Sequence, residues 1–425
     1  MGTRTVGAGG RAAAPLTGRY LLVLGQDLLG DDDAASAAVR ELTGAEEVTN
    51  TRSAERGPVP RARPTLFAEL GVAVADLSAP QLSAARADRR VLGVEPERVQ
   101  RAIGRPLSER ALSEEYLRGF RDAAEFLHSR LAAAAVAPAQ FGDTDKLAWG
   151  LQATGVAESP ETGVGITLAV LDTGLDLEHP DFAGRDIEAR SFVDGQTAQD
   201  GQGHGTHVTG TACGALSPGT GRRYGIAHEA RILVGKVLGD DGSGTDADIL
   251  AGMSWAISAG ARVISMSLGA DVEEVSTAYE TVGRRALDAG TLVVAAAGNN
   301  AQRGAGDPGF VGVPANSPSI MAVGAVDSAL AIADFSAASS PVEGGQVDIA
   351  GPGVDVYSSW PVPQGTNTIS GTSMATPHVA GIAALWSQRT GATGRQLWAQ
   401  LVQAAQRLPL PASDVGSGLV RAPGA

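Results

Sequence analysis

The chain is 425 residues long, 43% hydrophobic and only 4% aromatic, a length and composition that suit two or three compact folded units. Its formal net charge of −14 and its pI near 4.9 exclude nucleic acids and anionic membranes as partners, because neither supplies cations to an acidic surface. The single cysteine, Cys213, excludes an internal disulfide, and we interpret it as a packed small residue rather than a nucleophile.

The N-terminal quarter divides into a tail and a small folded unit. Residues 1–18 are rich in Gly, Ala and Arg and are predicted to be disordered. Residues 19–102 alternate predicted strands and helices, namely strand 20–24, helix 34–42, strand 72–77, helix 79–87 and strand 91–99. This alternation predicts a small ferredoxin-like α+β domain.

A linker at residues 103–145 follows this unit. Residues 113–135 predict an amphipathic helix, because one face carries apolar side chains at helical spacing: Tyr116, Phe120, Ala123, Leu127 and Leu131. The alanine-rich stretch beyond it, up to Phe141-Gly142-Asp143, is the expected processing zone. The alternative is that the linker packs on the next domain and is never cleaved.

Residues 146–425 form the larger domain, in which apolar strands and helices alternate. The strands are predicted at 166–171, 230–238, 262–267 and 291–297, and two of the helices at 247–258 and 272–288. Such alternation predicts an α/β fold with a mostly parallel sheet and helices on both faces. In sheets of this kind, functional side chains collect at the carboxyl ends of the strands.

Four polar residues stand where such a sheet would bring them together. Asp172 ends the strand at 166–171, Asn299 follows the strand at 291–297, and His204 lies in the glycine-rich run His204-Gly205-Thr206-His207. Ser373 lies in Gly371-Thr372-Ser373-Met374-Ala375-Thr376-Pro377, which opens an apolar helix at 379–386 with Pro377 expected in its first turn.

This set of residue types suits nucleophilic catalysis. A serine hydroxyl at a helix start faces unpaired backbone N–H groups, which can hold the oxyanion formed when it attacks a carbonyl. A sheltered aspartate can fix the tautomer of a histidine that serves as general base. Taken one at a time, the serine could equally be a helix cap and the histidine a packed residue.

The three runs around Asp172, His204 and Ser373, in this order, resemble the signatures of the subtilisin-like serine proteases. The resemblance implies a three-layer subtilisin-like fold, a catalytic triad of these residues and an oxyanion hole that includes Asn299. Residues 89–97 also resemble the end of subtilisin propeptides, which implies a self-processing zymogen inhibited by its own N-terminal domain. The alternative is a catalytically silent, peptide-binding protein of the same fold.

The resemblance also implies where a polypeptide substrate lies. Ser267, Leu268, Gly269 and Ala270 match the segment that pairs with the substrate backbone. Four further residues match the walls and floor of the first specificity pocket: Ala296, Ala297, Gly298 and Gly312. None of these residues is charged, so we expect an uncharged, medium-sized or apolar residue at the cleaved position.

Two acidic residues, Asp246 and Asp248, stand in the segment that resembles the lining of more distant subsites, where many relatives carry an aromatic residue. They would favour basic residues several positions before the cut. The alternative is that they only stabilise the N-terminus of a helix.

No cofactor is expected for the chemistry, but the family often binds structural calcium. Asp181 falls where relatives place a calcium ligand, whereas the segment that would supply the other ligands, residues 215–223, contains Arg222 and Arg223 and no Asn or Asp. Two cations oppose a bound cation, so Asp181 is a weak metal candidate. A zinc site on His204 and His207 lacks a carboxylate at suitable spacing.

We expect a monomer whose partners are polypeptide substrates and its own propeptide. Residues 1–30 lack an apolar core of signal-peptide length, which indicates a cytoplasmic protein as the sequence is written. Family members with a propeptide are commonly exported, so the resemblance favours secretion instead.

Overall fold

The structure is a computed structural model that describes residues 14–52, 57–102 and 141–424. The amphipathic helix predicted at 113–135 and most of the N-terminal tail lie outside the described residues.

The N-terminal domain is a five-stranded sheet with two helices on one face. Its elements in chain order are β1 (Leu16–Leu24), α1 (Asp32–Thr43), β2 (Thr49–Asn50), β3 (Thr65–Phe67), β4 (Val72–Ala75), α2 (Ala79–Ala87) and β5 (Val91–Ala102). The strands lie in the order β5-β1-β4-β3-β2, and only β2 and β3 pair in parallel. Without the short β2, the order of elements is the β-α-β-β-α-β of the predicted ferredoxin-like unit.

The alternation of side chains along β1 gives this sheet two buried faces. Leu22 and Leu24 pack with Val39 of α1, whereas Leu21 and Val23 belong to the core of the larger domain. The N-terminal sheet is therefore covered by its own helices on one face and by the larger domain on the other.

Strand β1 starts earlier than the sequence predicts. Leu16, Thr17 and Gly18 lie in the strand, inside the segment predicted to be disordered, and Leu16 pairs with Arg98. The Thr17 hydroxyl donates to the Glu97 carboxylate, a contact between strands that local composition does not reveal.

The larger domain has a seven-stranded sheet in which every neighbouring pair is parallel. Its strands are β6 (Thr167–Asp172), β7 (Ile187–Ser191), β8 (Arg231–Lys236), β10 (Val263–Met266), β12 (Leu292–Ala296), β13 (Met321–Val326) and β14 (Ile349–Pro352). Their order is β14-β13-β12-β10-β6-β8-β7. Two short strands, β9 (Ser243–Thr245) and β11 (Leu268–Gly269), and the hairpin β15 (Val356–Ser359) with β16 (Thr366–Ile369) lie outside this sheet.

Helices cover both faces of the parallel sheet. They are α3 (Trp149–Ala153), α4 (His204–Cys213), α5 (Asp246–Ser258), α6 (Thr277–Asp288), α7 (Thr372–Thr390), α8 (Gly394–Ala404) and α9 (Ala412–Val415). Successive strand residues alternate between two cores: Leu171 packs with α5 and α6, and Val170 packs with α4 and α7. The predicted three-layer α/β fold is confirmed.

Two boundaries in this domain differ from the sequence prediction. Helix α6 starts at Thr277 rather than at 272, because the Ser276 hydroxyl accepts the backbone N–H of Tyr279 as its cap. Phe141 and Asp143, at the end of the predicted processing zone, pack on the larger domain before its predicted start at residue 146: the Phe141 N–H donates to the Ser328 carbonyl, and Asp143 accepts from the Trp149 N–H.

No helix within the described ranges is both long enough and apolar enough to cross a membrane.

Candidate active site

Asp172 and His204 meet at the carboxyl edge of the parallel sheet. Asp172 is the last residue of β6, His204 is the first residue of α4, and both side chains are buried. His204 Nδ1 lies 2.7 Å from Asp172 Oδ1. The contact fixes the imidazole ring so that Nε2 is the nitrogen left for a proton transfer.

Two opposing effects act on the pKa of His204. Burial disfavours the charged imidazolium, but the Asp172 carboxylate, with a smaller contribution from Asp200, overrides it. The pKa of His204 is therefore raised above its ordinary value, as suits a base that must hold a proton during a reaction.

Asp200 organises the approach to His204, and the sequence analysis missed it. Its carboxylate accepts the backbone N–H of Gly203 at 2.8 Å and both the N–H and the hydroxyl of Thr206 at 2.8 and 2.7 Å. These bonds satisfy donors at the start of α4. Asp200 lies four residues before His204, but nothing in that spacing distinguishes it from a surface acid.

Ser373 is the second residue of α7 and is fully buried in the presence of the N-terminal domain. Its hydroxyl donates to the Ser267 carbonyl at 3.0 Å. His204 Nε2 is buried and finds no hydrogen-bond partner among the described residues. The structure thus joins Asp172 to His204, and it directs the Ser373 hydroxyl to Ser267.

Pro377 lies deeper in α7 than the predicted first turn, because the helix already starts at Thr372. A residue with an N–H at this position would donate to the Ser373 carbonyl four residues earlier. The Ser267 hydroxyl donates to that carbonyl instead, at 2.7 Å. Ser267 and Ser373 therefore hold each other by two hydrogen bonds in opposite directions.

Asn299 follows β12 and is oriented by the residue before Ser373. The Asn299 Oδ1 accepts the backbone N–H and the hydroxyl of Thr372, both at 2.9 Å. The Thr372 hydroxyl in turn accepts the Gly298 N–H at 3.2 Å. With Oδ1 held in this way, the Asn299 amide can direct its Nδ2 donors elsewhere, a role for Thr372 that the sequence analysis did not identify.

The predicted substrate edge carries a polypeptide strand of this same chain. Strand β5 of the N-terminal domain runs between β9 and β11 and is antiparallel to both. Gly269 pairs with Arg101 and Leu268 pairs with Ala102, whose N–H donates to Gly242 at 3.0 Å. Leu268 and Gly269 thus form an edge on which extended peptide is seated, and Ser267 directly precedes them.

The residues predicted for the first pocket also come together. The Ala270 N–H donates to Val313 at 2.9 Å, and the Gly312 N–H donates to Ala297 at 3.0 Å. A Cβ on Gly312 would lie 2.3 Å from the Ala270 carbonyl oxygen, so only glycine fits between these segments. Ala296 and Ala297 are buried, and Gly298 adopts a φ of 124° that favours glycine.

The comparisons with known proteins agree with this geometry. The sequence profile of the subtilase family matches residues 163–419, more than half of the chain. The chain belongs to the subtilase family. Subtilisin from Bacillus pumilus is 45% identical to this subtilase over 227 residues, which cover 53% of the chain and 77% of that relative.

Two further relatives show how far the similarity extends. Subtilisin E from Bacillus subtilis (strain 168) is 45% identical over 227 residues, covering 53% of the chain and 56% of the relative. Subtilisin-like protease 2 from Pseudogymnoascus destructans is 40% identical over 226 residues, covering 52% of each. The chain spans about half the length of these two relatives. It is a subtilisin-like serine endopeptidase.

Calcium does not fit the residues around Asp181 in this subtilase. Tyr224 donates its hydroxyl to Asp181 Oδ2, and Gly219 donates its N–H to Asp181 Oδ1 at 2.7 Å. Arg222 pairs with Asp143 at 2.9 Å and lies over the ring of Tyr357 at 4.6 Å. Both carboxylate oxygens accept from protein donors, and the loop offers a cation where calcium would need oxygen ligands, so the residues present do not fit Asp181 as a calcium ligand.

His207 and Cys213 carry potentially reactive groups, but both side chains are buried and serve in packing. His207 Nε2 lies 3.0 Å from the Val356 carbonyl, and burial lowers the pKa of His207 to about 3, which keeps its ring neutral. Cys213 is fully buried in the core, and burial raises the pKa of its thiol to about 12. A thiol that stays protonated is a poor nucleophile, as the interpretation of Cys213 requires.

Proposed function

We propose that this subtilase hydrolyses peptide bonds with Asp172, His204 and Ser373 as its catalytic triad. The observation that supports this most strongly is the 2.7 Å contact between His204 Nδ1 and Asp172 Oδ1, which leaves the buried Nε2 without another partner in the described chain. Ser373 at the start of α7 supplies the nucleophile.

The reaction begins when the Ser373 hydroxyl turns from the Ser267 carbonyl towards His204 Nε2. His204 takes the hydroxyl proton as the serine oxygen attacks the scissile carbonyl, and Asp172 stabilises the imidazolium that results. His204 then passes this proton to the leaving amine. Water enters, loses a proton to His204 and hydrolyses the acyl enzyme, which restores Ser373.

The negative charge on the attacked carbonyl oxygen needs donors of its own. We assign these to Asn299 Nδ2 and the backbone N–H of Ser373. Thr372 supports the assignment, because its two bonds to Asn299 Oδ1 orient the amide without occupying Nδ2. Donors fixed in advance lower the barrier without having to reorganise during the reaction.

We further propose that residues 19–102 are an intramolecular inhibitor, residues 103–145 a linker with the processing zone, and residues 146–425 the catalytic domain. Strand β5 supports this division, because it fills the edge between β9 and β11 that a substrate would use. Two glutamates of β5 also join the two domains: the buried Glu97 accepts the N–H of Ala247 at 3.2 Å, and the partly buried Glu95 accepts that of Ala278 at 3.2 Å.

The register of β5 indicates which bond is cut first. Ala102 is opposite Leu268, so one more residue of a peptide in this register would be opposite Ser267, whose carbonyl accepts from the Ser373 hydroxyl. Residue 103 lies outside the described residues. We propose that the chain cuts itself between Ile103 and Gly104 and that later cuts remove the linker.

A second candidate is a catalytically silent protein that holds its own N-terminal domain. The bond from Ser373 to Ser267 favours it, since the hydroxyl does not donate to His204 in the structure.

Intact mass separates the two candidates. We expect purified full-length protein to lose its N-terminal segment at residue 103, and Ser373→Ala to stay intact under the same incubation. If both proteins keep their full mass and neither digests casein, the silent candidate replaces the protease.

A further inference from the structure

Asp246 is a fully buried acid that faces the seated strand rather than its own helix. It is the first residue of α5, and its Oδ2 accepts the backbone N–H of Arg98 at 2.7 Å. Its Oδ1 accepts Gln100 Nε2 at 2.7 Å and the hydroxyl of Tyr279 at 2.8 Å. Two of these three donors belong to β5.

The N-terminus of α5 has a separate cap. Thr245 and Asp248 form a capping box, in which Asp248 Oδ2 accepts the N–H and hydroxyl of Thr245 at 3.0 and 2.7 Å. The two acids that the sequence analysis treated together thus have different roles. Asp248 stabilises the helix, and Asp246 is left to contact whatever lies in the position of β5.

The pocket around Gln100 supplies acceptors but no donor. The Gln100 side chain is fully buried, and its Oε1 finds no hydrogen-bond partner within the described residues. The Tyr279 hydroxyl is committed to Asp246. A side chain that only donates would leave no buried acceptor unpaired, so lysine or arginine matches this pocket better than glutamine does.

The charge of the Asp246 carboxylate also favours lysine or arginine at the position of Gln100. Burial raises the pKa of Asp246 to about 6, and the bonds from Gln100, the Arg98 N–H and Tyr279 oppose that shift only in part. The Arg98 charge also opposes the shift, but the donors at hydrogen-bond distance from Asp246 are all uncharged, and a cation placed there would stabilise the buried carboxylate further.

We propose that Asp246, oriented by Tyr279, selects lysine or arginine at the fourth residue before the scissile bond in polypeptide substrates. The inference rests on the proposed function, because Gln100 corresponds to that position only when the cut falls between Ile103 and Gly104. Gln100 of β5 then binds Asp246 through its Nε2 but leaves its own Oε1 unpaired among the described residues. Such incomplete pairing suits an inhibitory segment that must eventually dissociate.

Internally quenched peptides test the proposal on the processed wild-type enzyme. Each peptide carries X-Arg-Ala-Ile-Gly, in which X is lysine, glutamine, leucine or glutamate, and product masses confirm cleavage after isoleucine. We expect kcat/KM for lysine to exceed that for leucine by about 10-fold, the effect of one hydrogen bond to a charged group. Glutamine should fall between them, and glutamate should be the poorest substrate.

Two variants link the preference to Asp246. Asp246→Asn should reduce the lysine-to-leucine ratio of kcat/KM to about one, because the amide keeps the shape but loses the charge. Asp248→Asn is the matched control in the same helical turn and should keep the wild-type ratio. A ratio between two substrates does not depend on how much of each preparation is folded.

The outcomes separate the two proposals. Equal kcat/KM for lysine and leucine in the wild type, or an unchanged ratio in Asp246→Asn, overturns the role of Asp246 while the protease stands. Failure to cut all four peptides and casein overturns the proposed function, and the specificity with it.

Discussion

With His204 as the proposed general base, we expect its charge state to set the lower pH limit of activity. Burial works against protonation of His204, but Asp172 prevails and raises the pKa above its ordinary value of 6.5. A general base must be neutral, so kcat/KM should rise with pH through this raised pKa and be lost below it.

Replacing Asp172 by Asn should move this acid limb to lower pH, because the charge that raises the pKa is removed. The same change should reduce kcat by about 10⁴-fold, since the imidazole loses its fixed tautomer. Steady-state rates from pH 5 to 9 measure both effects. An acid limb that stays in place in Asp172→Asn would show that another group controls it.

The Thr372 hydroxyl should affect catalysis through Asn299, and this effect can be tested separately from packing. Thr372→Val keeps the shape of the side chain but removes the hydroxyl that donates to Asn299 Oδ1 at 2.9 Å. We expect kcat to fall by about 10-fold with little change in KM, because the oxyanion forms only in the transition state. Thr372→Ser keeps the hydroxyl and should stay within about twofold of the wild type. Equal losses in both variants would indicate a packing effect.

At the scale of elements, hydrogen bonds from the loop at Gly219 to Tyr224 occupy Asp181, the weak metal candidate. We expect a chelator to leave the melting temperature unchanged, because the Asp181 oxygens already accept from Tyr224 and Gly219. Tyr224→Phe should lower the free energy of unfolding by about 1–3 kcal/mol, the cost of a buried acceptor left without its donor. Thermal unfolding with and without chelator tests both, and a large loss of stability on chelation contradicts this account.

The sequence predicts the elements that repeat a pattern and misses those that depend on distant contacts. The buried strand ending at Asp172 is found to within one residue, since its apolar run is continuous. Pro377 is predicted in the first turn of α7 but lies in the second, where Ser267 donates to the carbonyl that Pro377 cannot reach with an N–H. Leu16 to Gly18 join β1 only through partners about eighty residues away.

In the site, too, the sequence predicts the residues that stand in local motifs and misses the roles that depend on distant contacts. Asp172, His204, Ser373 and Asn299 stand in recognisable runs, whereas the bonds made by Asp200 depend on folding that no local pattern describes. The separate roles of Asp246 and Asp248 were also inaccessible, because both acids suit a helix start equally well.

At the scale of the whole molecule, the buried pair of Arg19 and Glu97 lies within the N-terminal domain and holds Glu97 at the interface with the larger domain. Arg19 donates twice to Glu97, at 2.7 Å each, and Glu97 also accepts from the N–H of Ala247 across the interface. Removing one partner of a buried pair leaves an uncompensated charge that costs about 3–5 kcal/mol.

Arg19→Ala should therefore weaken the hold of the N-terminal domain after cleavage. We expect freshly processed Arg19→Ala to digest casein earlier than the wild type does at equal concentration. Arg63→Ala, which removes an exposed pair with Glu47, is the matched control and should follow the wild-type time course. An unchanged lag in Arg19→Ala would mean that this pair does not hold the inhibitor.

Strand β5 belongs to two sheets at once, since it pairs with β1 inside the N-terminal domain and with β9 and β11 on the catalytic domain. Under the proposed self-processing, the first cut is an event within one molecule, and we expect its rate not to depend on concentration. Release of the inhibitor from the cleft should depend on concentration. Strand β5 dissociates only together with the N-terminal domain that it helps to form, and a molecule that is already active can digest that domain in other molecules. Onset of activity in a population should then be abrupt, delayed by dilution and accelerated by a trace of mature enzyme.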